Sequence, residues 1–240
     1  MLRAAVLAFF LAAAAGDPGS VWVGQFSTAG KPPPPWRMMA RSGTRPTEYA
    51  VTRVAGRMSV EARFDNSMSM LARHVTVDLK KTPILCWRWY VDGPVAKADM
   101  TKKSGDDYAA RVYVGFDVPD SALSGSTKFK LGLARAMFGK DLPDAAVVYV
   151  WDNKHPVGTA RKSAFTDRNQ LIVAETGSAR AGTWVEERAD VGRDFARAFG
   201  GQPGTPTGVA IAADGDNTRS SGRAAFSDIH FVAQGQPCGG

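Results

Sequence analysis

The chain has 240 residues, 44% of them hydrophobic and 22% charged, and its 30 lysines and arginines against 23 aspartates and glutamates give a formal charge of +7. That much apolar surface excludes a disordered tail, and the lack of a glycine period excludes a collagen-like fibre. With 25 glycines and 14 prolines the composition favours a loop-rich β protein over a helical bundle, and two cysteines are too few for a disulfide scaffold.

The first residues, Met1-Leu2-Arg3, an apolar run from Ala4 to Leu11 and the small residues Ala12 to Gly16, have the pattern of a cleaved secretory signal over residues 1–15. The run stops at Asp17-Pro18, short of the ~20 apolar residues that a membrane span needs. An exported protein, periplasmic or extracellular and with no membrane span, is therefore expected. Loss of Arg3 with the signal lowers the charge from +7 to +6. Residues 16–45 read as an N-terminal strand and a proline-rich strap, Lys31-Pro-Pro-Pro-Pro-Trp36, which cannot join a sheet ladder.

Residues 46–234 read as a single β-sandwich domain and 235–240 as a flexible tail. Short β-patterned runs recur at Tyr49 to Val54, Met58 to Phe64, His74 to Leu79, Ile84 to Val91, Tyr108 to Val118, Ala145 to Trp151, Leu171 to Thr176, Thr183 to Arg188, Gly208 to Ala213 and Ala224 to Val232, parted by Gly, Pro, Asp, Asn and Ser clusters. About ten such strands imply an all-β fold, an antiparallel β-sandwich or jelly roll. Two segments read as short helices: Lys128 to Phe138, with a broad apolar stripe, and Asp190 to Phe199, capped by Asp190 and ended by Gly200-Gly201. An oxidising compartment permits Cys86 and Cys238 to pair. The apolar strand around Cys86 and the glycine-rich tail around Cys238 argue instead for a buried free thiol beside a loose tail.

Strand parity separates core faces from faces that could meet a ligand. In Ile84 to Val91 the core parity is Leu85, Trp87, Trp89 and Val91, which leaves Cys86, Arg88 and Tyr90 outside. In the next runs Asp107, Arg111 and Tyr113 fall opposite Tyr108, Val112 and Val114, and Tyr149 and Trp151 fall opposite Val148 and Val150. If these strands share a sheet, Arg88, Tyr90, Asp107, Arg111, Tyr113, Tyr149 and Trp151 form one candidate ligand-binding face, suited to a sugar ring or an anionic polysaccharide.

No catalytic residue is assigned. The adjacent acid pairs Asp106-Asp107 and Glu186-Glu187 point to opposite faces of their strands, so a glycosidase pair would have to come from separate strands. Asp214, Asp216 and Asn217 form the most metal-like segment, oxygen-rich on a turn, and Ca²⁺ is the only cofactor it suggests. The glycine and glutamate positions of an EF-hand are Arg219 and Ala225, so that geometry is absent, and turn formation explains the segment without an ion. The three histidines, His74, His155 and His230, fit no zinc spacing. The scattered positive charge gives no reason to expect nucleic acid as a partner.

The segments Leu85 to Val91, Lys103 to Phe116, Val148 to Trp151, Trp184 to Arg188, Gly208 to Thr218 and Phe226 to Phe231 together resemble the bacterial exported family known as domain of unknown function 3047. The resemblance runs from about Trp22 to Val232. This chain has Ser227 where that family usually has Gly, and Asp-Gly-Asp-Asn at 214–217 where it often has Asp-Thr-Asp-Asn. Position by position, the motif residues are Trp87, Trp89, Asp106, Asp107, Arg111, Trp151, Asp214, Asp216, Asn217 and Asp228. The family's ending is similar to galactose-binding-like jelly rolls and carbohydrate-binding modules, which implies a sandwich that binds a polysaccharide or envelope glycan without catalysis. The alternatives are a carbohydrate-active enzyme of hydrolase or lyase type and a structural envelope protein.

Overall fold

The computed structural model describes residues 19–139, 142–200 and 204–239. The expected signal segment lies outside them.

Two β-sheets pack face to face. In the first, β11 (Val185–Asp190), β6 (Ile84–Val91), β13 (Ser221–Val232), β4 (Arg57–Asp65) and β3 (Glu48–Val54) are neighbours in that order, with β1 (Val21–Gly24) also on β13. In the second the order is β2 (Arg37–Ala40), β5 (Ser69–His74), β12 (Thr205–Ala212), β7 (Arg111–Asp117), β8 (Ala145–Asp152), β10 (Asn169–Thr176) and β9 (Ala160–Lys162). All pairs are antiparallel except β8 with β10, which runs parallel through the short β9 crossover. The chain is therefore an all-β sandwich, with more strands than the sequence pattern alone suggests. The expected strand at His74 to Leu79 lies one element early, at Ser69–His74. Beyond it Val75 and Val77 donate single hydrogen bonds to the carbonyls of Thr207 and Pro206, so the chain follows β12 without forming a ladder.

The core lies between the sheets. Leu85, Trp87, Trp89 and Val91 of β6 meet Val112, Val114 and Phe116 of β7 and Val147, Tyr149 and Trp151 of β8. Trp87 packs on Tyr149 with ring centroids 5.0 Å apart, and Trp89 on Trp151 at 5.7 Å. Burying four such aromatics removes ~150–250 Å² each from water, a large share of what holds the sheets together.

A second buried cluster covers the outer face of the second sheet. Met100 and Tyr108, from the segment between β6 and β7, sit on Ala146, Val148, Val150, Leu171 and Val173. Strand β8 is consequently buried along both faces. Its expected parity is inverted: Tyr149 and Trp151 point inward and Val148 and Val150 outward. Hydrophobicity could not give the direction, because both faces of β8 are covered and the larger rings fill the wider space between the sheets.

Two helices complete the fold. α1 (Gly125–Phe138) starts at Ser124, whose hydroxyl accepts from Thr127 N. Leu131 of its apolar stripe is buried, whereas Phe129 and Leu133 are 76% and 59% exposed. α2 (Val191–Phe199) starts at Asp190, whose carboxylate accepts from Arg193 N at 2.9 Å, and buries Val191 and Phe195. Cys86 and Cys238 form a disulfide. Sequence reasoning favoured a free thiol, but Cys86 lies on the outer parity of β6, where the returning tail covers it beside Ile84 and Val232.

Candidate functional site

The seven residues expected on one ligand-binding face divide among three places. Arg88 and Tyr90 belong to the first sheet, while Arg111, Tyr113, Tyr149 and Trp151 belong to the second. The assumed common sheet does not exist. On the outer face of the first sheet, Arg88 donates to Asp228 at 2.9 Å and to Glu186, and Arg57 also reaches Asp228, at 2.5 Å. Tyr90 is packed with Val54, Ala225 and Trp184, with the Arg223 guanidinium over its ring.

Asp107 and Arg111 are buried in a polar lock on the second sheet. The Arg111 guanidinium takes both oxygens of Asp214, one of them through Nε at 2.8 Å, accepts nothing, and lies 4.4 Å above the Tyr108 ring. Asp107 accepts from Asn217 N at 3.2 Å, Asn217 Nδ2 at 3.0 Å and Thr218 N at 2.6 Å. Gly215 makes the turn possible, since a Cβ there would stand 2.3 Å from the Ser220 carbonyl oxygen. Carboxylate oxygens of Asp107, Asp214 and Asp216 fall within 4.8 Å of one another. Their donor set does not fit Ca²⁺: Arg111 supplies the positive charge to Asp214, amides occupy Asp107, and Asn217 faces the cluster as a donor. Burial pushes the Asp214 carboxyl up against the pull of Arg111, and burial followed by Asp107 pushes Asp216 up. The ion pair holds the 214–218 turn against β7.

Tyr113 lines a surface groove of about 120 Å³ bordered by Met39, Met70 and Pro143, and Tyr149 stands at the inner wall of a larger opening. Tyr149 and Trp151 are core residues, each 1% exposed.

The larger opening lies elsewhere, at the edge of the sandwich where β11 of one sheet faces β10 of the other and α2 closes one end. It has a volume of about 590 Å³, within the ~300–1,000 Å³ range of small-ligand clefts. Trp87 and Tyr149 form its inner wall, and Gln170, Glu187, Arg188, Arg193, Asp194 and Arg197 supply its polar groups. Glu187 pairs across β11 and β6 with Trp87, so it shares the inward parity of Val185 and Ala189 while Glu186 points out to Arg88. The Trp89 indole donates to Glu187 at 3.3 Å. Burial, and then the Glu175 carboxylate, push the Glu187 carboxyl up to about 7. Tyr149 donates to Asp194 Oδ2 at 3.0 Å, and burial raises Asp194 as well. The Trp87 indole N–H is buried with no hydrogen-bond partner, a vacancy that a buried polar group rarely tolerates.

Sequence reasoning missed this cleft because its members look like core or surface residues when taken singly. One signal was present: a glutamate on the apolar parity of β11, between Val185 and Ala189.

Residues 34–230 match the family described as Protein of unknown function (DUF3047). The chain belongs to that family. None of the curated proteins matches this DUF3047 chain. Among solved structures it is similar to the family 30 carbohydrate-binding module of a Clostridium thermocellum cellulosomal cellulase, at 12% identity and TM-score 0.41 over 90% of this chain and 99% of that one. It is also similar to the K3 cleaved adhesin domain of Lys-gingipain from Porphyromonas gingivalis, at 13% identity and TM-score 0.38 over 89% and 99%. A third is the xyloglucanase domain of a Sinorhizobium fredii type three effector in complex with cellobiose, at 10% identity and TM-score 0.38 over 91% and 95%.

Proposed function

We propose that the protein binds a glycan in the cleft between β10, β11 and α2. The observation that carries this reading is an open cleft of about 590 Å³ lined by amide, carboxyl and guanidinium groups, with Trp87, whose buried N–H has no partner among the described residues, at its inner wall. Aromatic walls with convergent donors and acceptors are what a polyhydroxylated ring requires. The pattern of residues 1–15 and the disulfide support an exported protein that meets such a ligand outside the cytoplasm.

The test is a glycan array followed by calorimetry on Trp87→Phe, which keeps an aromatic ring, though a smaller one, and removes the donor. The expected loss is about five- to tenfold in affinity, the value of one hydrogen bond. Binding that is indifferent to Trp87→Phe and Glu187→Gln, or no binding by the parent protein, overturns the reading.

One observation favours a second reading, a carbohydrate-active enzyme. Glu187 holds a proton near neutrality in the same cleft as Asp194, which gives the cleft a protonated carboxyl beside a second one, the pairing that acid-assisted glycoside cleavage uses. Release of reducing ends by the parent protein and its loss in Glu187→Gln would select this reading. A parent that binds the glycan and leaves it intact rejects it.

A further inference from the structure

The cleft carries three arginines against two carboxyl groups. Arg188 is engaged, donating to the Gln236 carbonyl at 3.4 Å, and Arg193 Nε stands 3.9 Å from Asp194. Asp194 is satisfied within the protein, since it also accepts from Tyr149. Arg197, one helical turn beyond Arg193 and exposed, makes no hydrogen bond or ion pair among the described residues.

Further cations gather at the same end of α2. Lys162 and Arg168 lie over the Phe199 ring at 3.7 Å and 5.2 Å, and Lys162 donates to the Ala198 carbonyl at 2.9 Å. Burial, then Arg168, push the Lys162 ammonium down, and Asp167 opposes this only weakly as the last of the three causes. An anion placed here relieves the crowding of positive charge, whereas a neutral ligand leaves it unrelieved. The Arg197 guanidinium acts on Asp194 only at a distance, without a hydrogen bond or close ion pair among the described residues, so its planar fork is open to a carboxylate or sulfate.

Resting on the reading of the cleft as a glycan site, we propose that its ligand is an acidic glycan, whose carboxylate or sulfate group pairs with Arg197 while the ring lies against the Trp87 and Tyr149 wall. The acidic group accounts for Arg197.

The experiment uses the full chain on an array of uronate, sulfated and neutral glycans, followed by calorimetry on the strongest acidic binder and its neutral counterpart. For a uronate the counterpart is the methyl ester, and for a sulfated sugar the desulfated one. The acidic form is expected to bind about tenfold or more tighter. Arg197→Gln should remove most of that margin while leaving the neutral form unchanged, and added salt should weaken the acidic form alone. Uronate and sulfated arms decide which acid is preferred. Equal affinity for the acidic and neutral forms, or an Arg197→Gln change that weakens both alike, overturns the inference and leaves the cleft as a neutral-glycan site. Absence of binding to every arm overturns the inference and the glycan reading together.

Discussion

Replacing Glu187 with glutamine changes one proton and almost no shape. The Trp89 indole can still donate to the amide oxygen, and the side chain still lines the cleft. In the folded chain this carboxyl releases its proton near pH 7, against 4.5 ordinarily, so between those values the folded state holds a proton that the unfolded state has lost. The associated stability is therefore fully present below about pH 4.5 and is lost as pH rises to about 7. A shift of about 2.5 units sets an upper bound of about 3.4 kcal/mol, and the half-buried position lowers this to about 2–3 kcal/mol. Glutamine carries no such penalty, so Glu187→Gln should match the parent at pH 4 and exceed it at pH 8 by that amount. For a chain of this size the gain corresponds to about 5–10 °C in Tm. Differential scanning calorimetry from pH 4 to 8 reads it directly. Groups that do not interact with Glu187 cancel in the difference, whereas Glu175 and Arg180, which help set its shift, are part of the effect being read. Parallel Tm profiles for parent and variant would refute the argument, because they would mean that Glu187 ionises in the folded chain as it does in water.

Three further outcomes follow from the corrected positions. Trp151→Ala should cost about 3–5 kcal/mol, because the ring is fully buried against Trp89 and its N–H bonds the Gly177 carbonyl; a loss below 1 kcal/mol by chemical denaturation would contradict its inward placement. Asp214→Ala leaves the buried Arg111 charge with only Asp106, whose carboxylate stands 3.5 Å away, and should cost about 3 kcal/mol. Calcium should leave the melting temperature of the parent protein unchanged, and a rise of several degrees would show that the acidic turn takes the ion after all.

The sandwich was legible in the sequence wherever one face of a strand met water or a breaker marked its end. β6 spans Ile84–Val91 as the run of aromatic and β-branched residues indicates, and Asp190 caps α2 as its position suggests. The extent of β8 was legible but not which of its faces meets the core, because that depends on Met100 and Tyr108, which arrive from another segment to cover its outer face. Arg111 illustrates the same difficulty for a site. Its parity is indeed outward, but outward here means beneath the 214–218 turn, and its partner Asp214 lies 103 residues away. The cleft depends on the meeting of two sheet edges and one helix, none of which local periodicity reports. Glu187 was the exception, a charged residue on a buried parity.

The disulfide has a mechanical meaning. Cys238 follows the last strand, β13, by only a few residues, yet it is bonded to Cys86 in the neighbouring strand β6. A pull applied at or beyond residue 238 is delivered to β6, which is flanked on both sides by β11 and β13. It does not begin at the free end of β13. Peeling strands one at a time from that end, the route of least resistance in most sheets, is closed. The load has instead to be borne by the two ladders that hold β6 at once, so a tether attached beyond residue 238 would pull on the middle of a sheet and not on a free strand end.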